Sequence, residues 1–399
     1  MKTLVNSQLS DDFIDWPVYM ARTIEIAARV ISTDPNPRVG CVIVNANGVI
    51  AEGWHIFPGQ MHAETMAIEV ARQQQKSVVG ATAFVSLEPC AHFGRTGPCA
   101  VALVNAQIAR VVIATKDPNP EVSGKGITIL EQAGIEVVHL ADFEQQAKAL
   151  NPGFHKRHEV GLPWVRLKLA SSLDGRTALA NGQSKWITGS EARSDVQRMR
   201  LASSAIVTGV NSVIKDDPRM NIRLDELGLS AAEREANQLR LTLSPLKVIL
   251  DSALRTPVSA QILTSGPVYI FTLADQSAVA AFSASLPAGH QVEIVQAESS
   301  AATPPEGVDL SFVLKFLAQK ECNNVLVEAG AVLSSAFIYG GWVDELAVYI
   351  APKLMGADAM PLVDKTGIAS MDELLKFDTT AVEPFGNDIK LTMVPALET

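Results

Sequence analysis

The sequence predicts an α/β protein of two domains in tandem, and three observations carry that expectation. The chain has 399 residues, enough for two or three hydrophobic cores. Short apolar runs alternate with segments of helical spacing up to Leu140 and again from Trp164 onward, the pattern of a sheet with helices on its faces. Between them lies a Pro- and Gly-broken, densely basic stretch, Asn151–Pro163, which reads as a boundary. The expected domains are residues 1–155 and 156–399. A content of 47% hydrophobic and 19% charged residues excludes a disordered chain or a coiled coil.

The elements follow in order. Trp16–Ile31 has apolar residues at helical spacing, and VGCVIVNANGVIAEG forms two apolar runs around Asn45-Ala46-Asn47-Gly48, a hairpin signal. HAETMAIEVARQQ places Ala63, Met66, Ala67 and Val70 on one helical face. A strand (ATAFVSLEP), a helix (CAVALVNAQ), a strand (RVVIAT), a helix (ITILEQAG) and a strand (IEVVHL) complete the first domain. The second begins with the strand WVRLKLA, a helix over Glu191–Leu201 and the strands SAIVTGV, KVILD, PVYIFT and VEIVQ. It continues with the helix LSFVLKFLAQK and with NVLVEAG running into the helical AVLSSAFIYGG. The polar stretch Arg223–Pro245 is expected to be an exposed insertion without chemistry.

Charge and cysteine content narrow the function classes. With 33 Lys+Arg against 43 Asp+Glu the net charge is −10, so attraction to nucleic-acid phosphates or anionic lipid is weak. Any anionic substrate must be met by local cations. Only 6% of residues are aromatic, which argues against a deaminase that stacks nucleic-acid bases. Four cysteines, Cys41, Cys90, Cys99 and Cys322, are too few for a disulfide scaffold, and MKTLVNSQLSDDF lacks the apolar core of a signal peptide. No apolar run approaches the roughly 20 residues that span a bilayer. The cytoplasm is the expected compartment.

His62, Cys90 and Cys99 form a candidate metal centre. His62 and Cys99 open helices, and Cys90, just after a strand, is expected at a helix start too; such positions favour the metal-binding thiolate. One imidazole and two thiolates suit a catalytic zinc, which keeps three protein ligands and an open fourth position. Glu64 follows His62 by two residues and is the general acid/base candidate. H-x-E followed by P-C-x-x-C marks zinc deaminases, but here eight residues separate the cysteines. Cys41, in the apolar hairpin, and Cys322 read as structural.

DPNPRVG at 34–40, HAE at 62–64 and LEPCAHFGRTGPC at 87–99 resemble the bifunctional deaminase/reductases of riboflavin biosynthesis, in which the long insert between the cysteines is the normal form. KDPNP at 116–120 and the GxG at 124–126 are similar too. In the second half LKLASSLDGRTA (167–178), WITG (186–189), DDPRMNIR (216–223), ILDS (249–252), VEAG (327–330) and VDELxxYIAPKLMG (343–356) resemble the reductase domain of that family. The resemblance covers nearly the whole chain. It implies a cytidine-deaminase-like three-layer α/β/α domain, then a dihydrofolate-reductase-like domain that binds NADPH. No G-x-G-x-x-G joins a strand to a helix in the second half, so a Rossmann cofactor site is not expected.

The resemblance further implies that Asn36, His55, His92 and Arg95 surround a phosphorylated pyrimidine. Ser171, Trp186, Ser212, Asp216, Ser252 and the run Gly330, Ala331, Val332, Leu333, Ser334, Ser335 and Ala336 would contact NADPH. Ser184, Arg200, Met220, Arg223 and Glu328 would contact the ribose phosphate. Lys168 alternates with Leu167 and Leu169, so its side chain leaves the face the leucines bury. Lys168 and Asp216 are the candidates for moving protons while hydride reaches the anomeric carbon. A homo-oligomer, dimer or tetramer, is expected.

Overall fold

The computed structural model describes residues 15–91, 97–300, 307–364 and 366–396. The chain divides into two compact units, one running to Glu159 and including Ala231–Leu239, the other made of Val160–Ser230 and everything from Arg240 onward.

In the first unit the elements are α1 (Trp16–Ala27), β1 (Gly40–Asn45), β2 (Gly48–Trp54), α2 (Ala63–Gln73), β3 (Thr82–Val85), α3 (Cys99–Asn105), β4 (Arg110–Ile113), α4 (Lys125–Gln132), β5 (Glu136–His139), α5 (Glu144–Leu150) and α6 (Pro152–Val160). Asp15 caps α1 by accepting from the Val18 amide, and the helix stops four residues short of the expected Ile31. The sheet order is β2-β1-β3-β4-β5, with β1 antiparallel to both neighbours and β3, β4 and β5 parallel. Strand alternation sends Cys41 and Ile43 into the core shared with Ala63, Ala67, Leu103 and Leu130 of α2, α3 and α4. Val42 and Val44 face the opposite core, with Met20 and Ile26 of α1 and Ala147 of α5. The α/β/α layering follows. Gly53 lets α2 lie directly on β2: a Cβ there would stand 2.3 Å from the Ala63 carbonyl oxygen.

The second unit contains β6 (Trp164–Ser172), β7 (Arg176–Ala178), α7 (Ser190–Leu201), β8 (Ala205–Gly209) and α8 (Val210–Asp216). After α9 (Ala231–Ala236), which belongs to the first unit, come β9 (Leu246–Leu250), β10 (Val268–Thr272), α10 (Gln276–Ser285), β11 (Val292–Gln296), β12 (Ser299–Ser300) and β13 (Gly307–Val308). The unit closes with α11 (Leu310–Gln319), β14 (Asn324–Glu328), α12 (Ala331–Tyr339), β15 (Glu345–Ala351), β16 (Met360–Pro361), β17 (Phe377–Phe385) and β18 (Asp388–Pro395). Its main sheet has the order β11-β10-β9-β8-β14-β6-β15-β18-β17, parallel from β11 to β15 and ending in an antiparallel hairpin. Val165, Leu167, Val325 and Val327 fill the core under α11 and α12, while Ile206, Ile249 and Tyr349 pack on the other side with Val196 and Met199 of α7.

Within the stretch read as a boundary, Pro152–Val160 is helical, because Pro152 suits a first helical position and Gly161, at φ +78°, ends the run. Two expectations are corrected. The stretch Arg223–Pro245 is largely exposed but is more than an insertion: Leu227, Leu229, Asn237 and Arg240 are buried, and Ala231–Leu239 is part of the first unit. Asn237 accepts from the Ile31 amide (2.7 Å) and donates to the Arg29 carbonyl (3.2 Å). Cys90 does not open a helix but lies in the loop after β3. Cys41 and Cys322 are buried, as a structural role requires. No helix among the described residues is long and apolar enough to cross a membrane.

Candidate active sites

In the first unit the N-terminus of α2 and the loops around α3 bring three donors together. His62 is the N-cap of α2, Cys99 the first residue of α3, and Cys90 lies between β3 and α3. Their ligand atoms lie within 4.8 Å of one another. His62 Nδ1 is 3.5 Å from Cys90 Sγ and 3.3 Å from Cys99 Sγ. A tetrahedral zinc with bonds of about 2.1 Å to nitrogen and 2.3 Å to sulfur sets N–S separations near about 3.6 Å. The donor set fits zinc in chemistry and spacing. The Cys90 thiol is pulled down, chiefly by its hydrogen bond with Cys99, and Cys99 is pushed up by the same contact. The Cys99 amide also donates to Cys90 Sγ (3.3 Å).

Glu64, in the first turn of α2, is 3% exposed. Burial, and then the neighbouring Cys90 charge, push its carboxyl up to about 7. A carboxyl placed there can take up and return a proton beside the three donors. His55 is buried and its ring stands 5.1 Å from that of His62. Its Nδ1–H donates to the Met61 carbonyl (3.0 Å), so Nε2 accepts from Asn36 Nδ2 (3.0 Å). Burial holds His55 near 4, hence neutral at pH 7. Asn36 and His55 thus join the centre, while His92 and Arg95 lie outside the described residues. Sequence reasoning missed Glu88, two residues before Cys90, which is 3% exposed. Its signal was its place in the LEPC motif at 87–90, just before Cys90.

The second constellation gathers at the carboxyl edge of the parallel strands, where open α/β sheets bind ligands. Lys168 on β6 and Glu328 on β14 are register partners, and β6 is an interior strand. Arg200 of α7 grips Glu328 bidentately, Nε to Oε1 at 2.6 Å and a second nitrogen to Oε2 at 2.9 Å. That second nitrogen also reaches Met220 Sδ (3.5 Å), and the third donates to the Asn221 carbonyl (2.9 Å). Burial lowers the Lys168 pKa, with Arg200 adding and Glu328 opposing. Burial alone would raise Glu328, but Arg200, with Lys168 and Arg223, outweighs it and holds the carboxyl low. Arg223 pairs with Glu226 (2.9 Å), yet its buried Nε has no partner among the described residues.

The other expected residues lie on the same edge or near it. Ser171 is buried near the end of β6; Ser212 is in α8 and Ser252 just beyond β9, both half-buried. Asp216 ends α8 and is exposed. Ser184 is half-buried, and Trp186 is 61% exposed with Arg193 over its ring at 4.5 Å. Gly330 is the N-cap of α12, and a Cβ there would meet nothing within 4 Å among the described residues. Open space at a helix N-terminus fits a cofactor phosphate. Ser334 and Ser335 are buried, the first donating to the Ala329 carbonyl and the second accepting from the Asp364 amide, so the run Gly330–Ala336 offers chiefly backbone. Sequence reasoning also missed Tyr349, buried beneath Lys168 with Nζ 5.8 Å from its ring and its hydroxyl donating to Asp195 (2.5 Å).

Comparisons with known proteins agree with this division. The family described as "RibD C-terminal domain" matches residues 163–391, and "Cytidine and deoxycytidylate deaminase zinc-binding region" matches residues 16–115. The chain is 42% identical to "Riboflavin biosynthesis protein RibD" of Haemophilus influenzae, over 95% of this chain and 97% of that protein. It is 39% identical to the Escherichia coli protein of the same name, over 95% and 99%. Among solved structures, "Acinetobacter baumannii RibD, form 1" is similar at a TM-score of 0.81 and 43% identity, covering 95% of this chain and 98% of that one. A diaminohydroxyphosphoribosylaminopyrimidine deaminase/5-amino-6-(5-phosphoribosylamino)uracil reductase from Thermotoga maritima matches at 0.79 and 31%, with the same coverage.

Proposed function

Because the chain belongs to the family of bifunctional riboflavin-biosynthesis deaminase/reductases, with zinc in the hydrolase domain and NADPH in the oxidoreductase domain, we propose that it transforms one phosphorylated pyrimidine in two steps. The first unit is cytidine-deaminase-like and the second dihydrofolate-reductase-like. The first step is hydrolytic: 2,5-diamino-6-(5-phosphoribosylamino)pyrimidin-4(3H)-one takes up water and loses ammonia. Zinc, when bound by His62, Cys90 and Cys99, supplies a Lewis acid that makes water nucleophilic near neutral pH. Glu64 accepts the proton that water loses and gives it to the departing ammonia. Asn36, with its amide anchored on neutral His55, orients the pyrimidine; the family resemblance adds His92 and Arg95.

The second step reduces 5-amino-6-(5-phosphoribosylamino)uracil to its ribitylamino form. NADPH, when bound along Ser171, Trp186, Ser212, Asp216, Ser252 and the backbone of Gly330–Ala336, supplies the hydride for the anomeric carbon. The sugar ring opens as its oxygen gains a proton. Lys168 is suited to that proton because burial weakens its hold on it, and Asp216 stands at the exposed rim to exchange protons with water. Arg223 receives the substrate phosphate, and Arg200, Met220, Ser184 and Glu328 shape the ribose site.

The observation that carries this reading is the convergence of His62, Cys90 and Cys99 beside a buried Glu64 in one unit, with Lys168, Glu328 and Arg200 clustered in the other. The test is ammonia release and NADPH oxidation by the purified, zinc-loaded protein given the diaminopyrimidine ribosyl phosphate. Ammonia release is expected without NADPH, and Glu64→Gln should keep zinc and abolish it. Ammonia without NADPH consumption would refute the second role, and neither activity would refute both. The family resemblance also supports a cytoplasmic homo-oligomer, which fractionation and sedimentation equilibrium test.

A further inference from the structure

Glu88 has no place in either chemical step, yet its carboxylate accepts from four backbone amides. Its Oε2 accepts from the amides of Asp117 (3.3 Å) and Gly124 (3.1 Å), and Oε1 from those of Gly126 (3.2 Å) and Ile127 (3.4 Å). Gly126 and Ile127 lie in the first turn of α4, whose free amides carry partial positive charge. The Glu88 amide in turn donates to the Thr115 carbonyl (2.9 Å). The helix start and the segment before Cys90 also touch through backbone: a Cβ on Gly126 would stand 1.9 Å from the Pro89 carbonyl oxygen. Residues 88 and 89 are therefore clamped from both sides, immediately before Cys90. From Cys90 onward the segment is tied to α3 by the Ala100 amide, which donates to the Cys90 carbonyl (3.2 Å), and by the Cys99 amide on Cys90 Sγ.

We infer that Glu88 is a positioning residue of the metal centre: four amide hydrogen bonds to its carboxylate fix the segment that presents Cys90 Sγ to His62 and Cys99. The inference rests on the reading of those three residues as zinc ligands. A carboxylate is the one side chain suited to this place. It offers about four lone-pair sites and no donor, matching four converging N–H groups, whereas a glutamine would turn an NH2 toward two of them. Outer groups that orient metal ligands typically govern about 10–100-fold in metal affinity or activity.

The test uses the full-length zinc-loaded protein and Glu88→Gln, with zinc release to a chromophoric chelator as the first readout. NADPH oxidation on the deaminated substrate, carried by the other unit, serves as the folding control. The expected result is zinc release faster by about 10–100-fold, ammonia release reduced and restored by added free zinc, and NADPH oxidation unchanged. Zinc release at the parent's rate would overturn the inference. Should Glu88→Gln fail to fold, Gly126→Ala decides, since it drives a methyl group against Pro89: it too must release zinc faster, and parental release overturns the inference. A parent protein that binds no zinc refutes the ligand assignment itself, a result distinct from a variant that holds zinc normally.

Discussion

Replacing Glu328 with Gln tests the charged cluster of the second unit most directly. The Arg200 and Glu328 side chains are only 12% and 11% exposed, and two hydrogen bonds of 2.6 and 2.9 Å join them. Glu328→Gln keeps the shape but leaves the charges of Arg200 and Lys168 facing each other without an anion. Neutralising one partner of a buried pair costs about 3–5 kcal/mol. For a unit of this size each kcal/mol moves the melting temperature by roughly 2–4 °C, so its transition should fall by about 6–20 °C. Differential scanning calorimetry of the intact chain reads this, with the first unit's transition as reference. The pH dependence supplies a second check. Glu328 is held below its ordinary value, so its contribution is fully present above about 4.3 and is lost as pH falls through its lower folded value. The gap between parent and variant should therefore close in that acidic window. A drop under about 2 °C at neutral pH, or a gap that persists through the acidic window, would refute the reasoning.

Other consequences are equally specific. Burial lowers the Lys168 pKa, so its charge costs stability below the folded pKa, and that cost disappears as pH rises toward about 10.4. Lys168→Met should accordingly abolish NADPH oxidation without lowering the melting temperature at pH 7; a destabilised variant contradicts the assignment. Cys99→Ser, or chelation of zinc, should stop ammonia release while the deaminated substrate is still reduced; parallel loss of both activities would argue against separate centres. Asn237→Ala leaves the Ile31 amide without its 2.7 Å acceptor and should destabilise the first unit by about 1–3 kcal/mol in urea unfolding, with the second unit unchanged.

Periodicity made most of this architecture legible. Alternation along VGCVIVN and WVRLKLA identified the strands β1 and β6, and the face bearing Leu167 and Leu169 is the buried one. The metal centre was legible because its residue types are rare and their order is constrained; His62, Cys90 and Cys99 do converge. What stayed hidden depends on contacts distant in sequence. Glu88 looks like any loop carboxylate until residues 117–127 fold over it, and Asn237 like a polar helix residue until it meets Arg29 and Ile31. The helix at Pro152 was not legible because the place of Pro152 in the turn, first residue rather than interior, is set by the backbone around it. The hairpin of β17 and β18 escaped because its edge strand is largely exposed and lacks an apolar run.

The return of Ala231–Leu239 to the first unit has a consequence for how such a protein can be inherited. Two enzymes strung end to end can be parted by one break in the gene, and each half can then evolve alone. Here a break near residue 160 would strand the helix α9 on the wrong polypeptide and strip the Arg29 carbonyl and Ile31 amide of their partner. The separated deaminase would start life without the hydrogen bonds that Asn237 brings to it, and the separated reductase with an orphaned helix. The chain crosses the border between its units three times, so fusion is easier to keep than to undo.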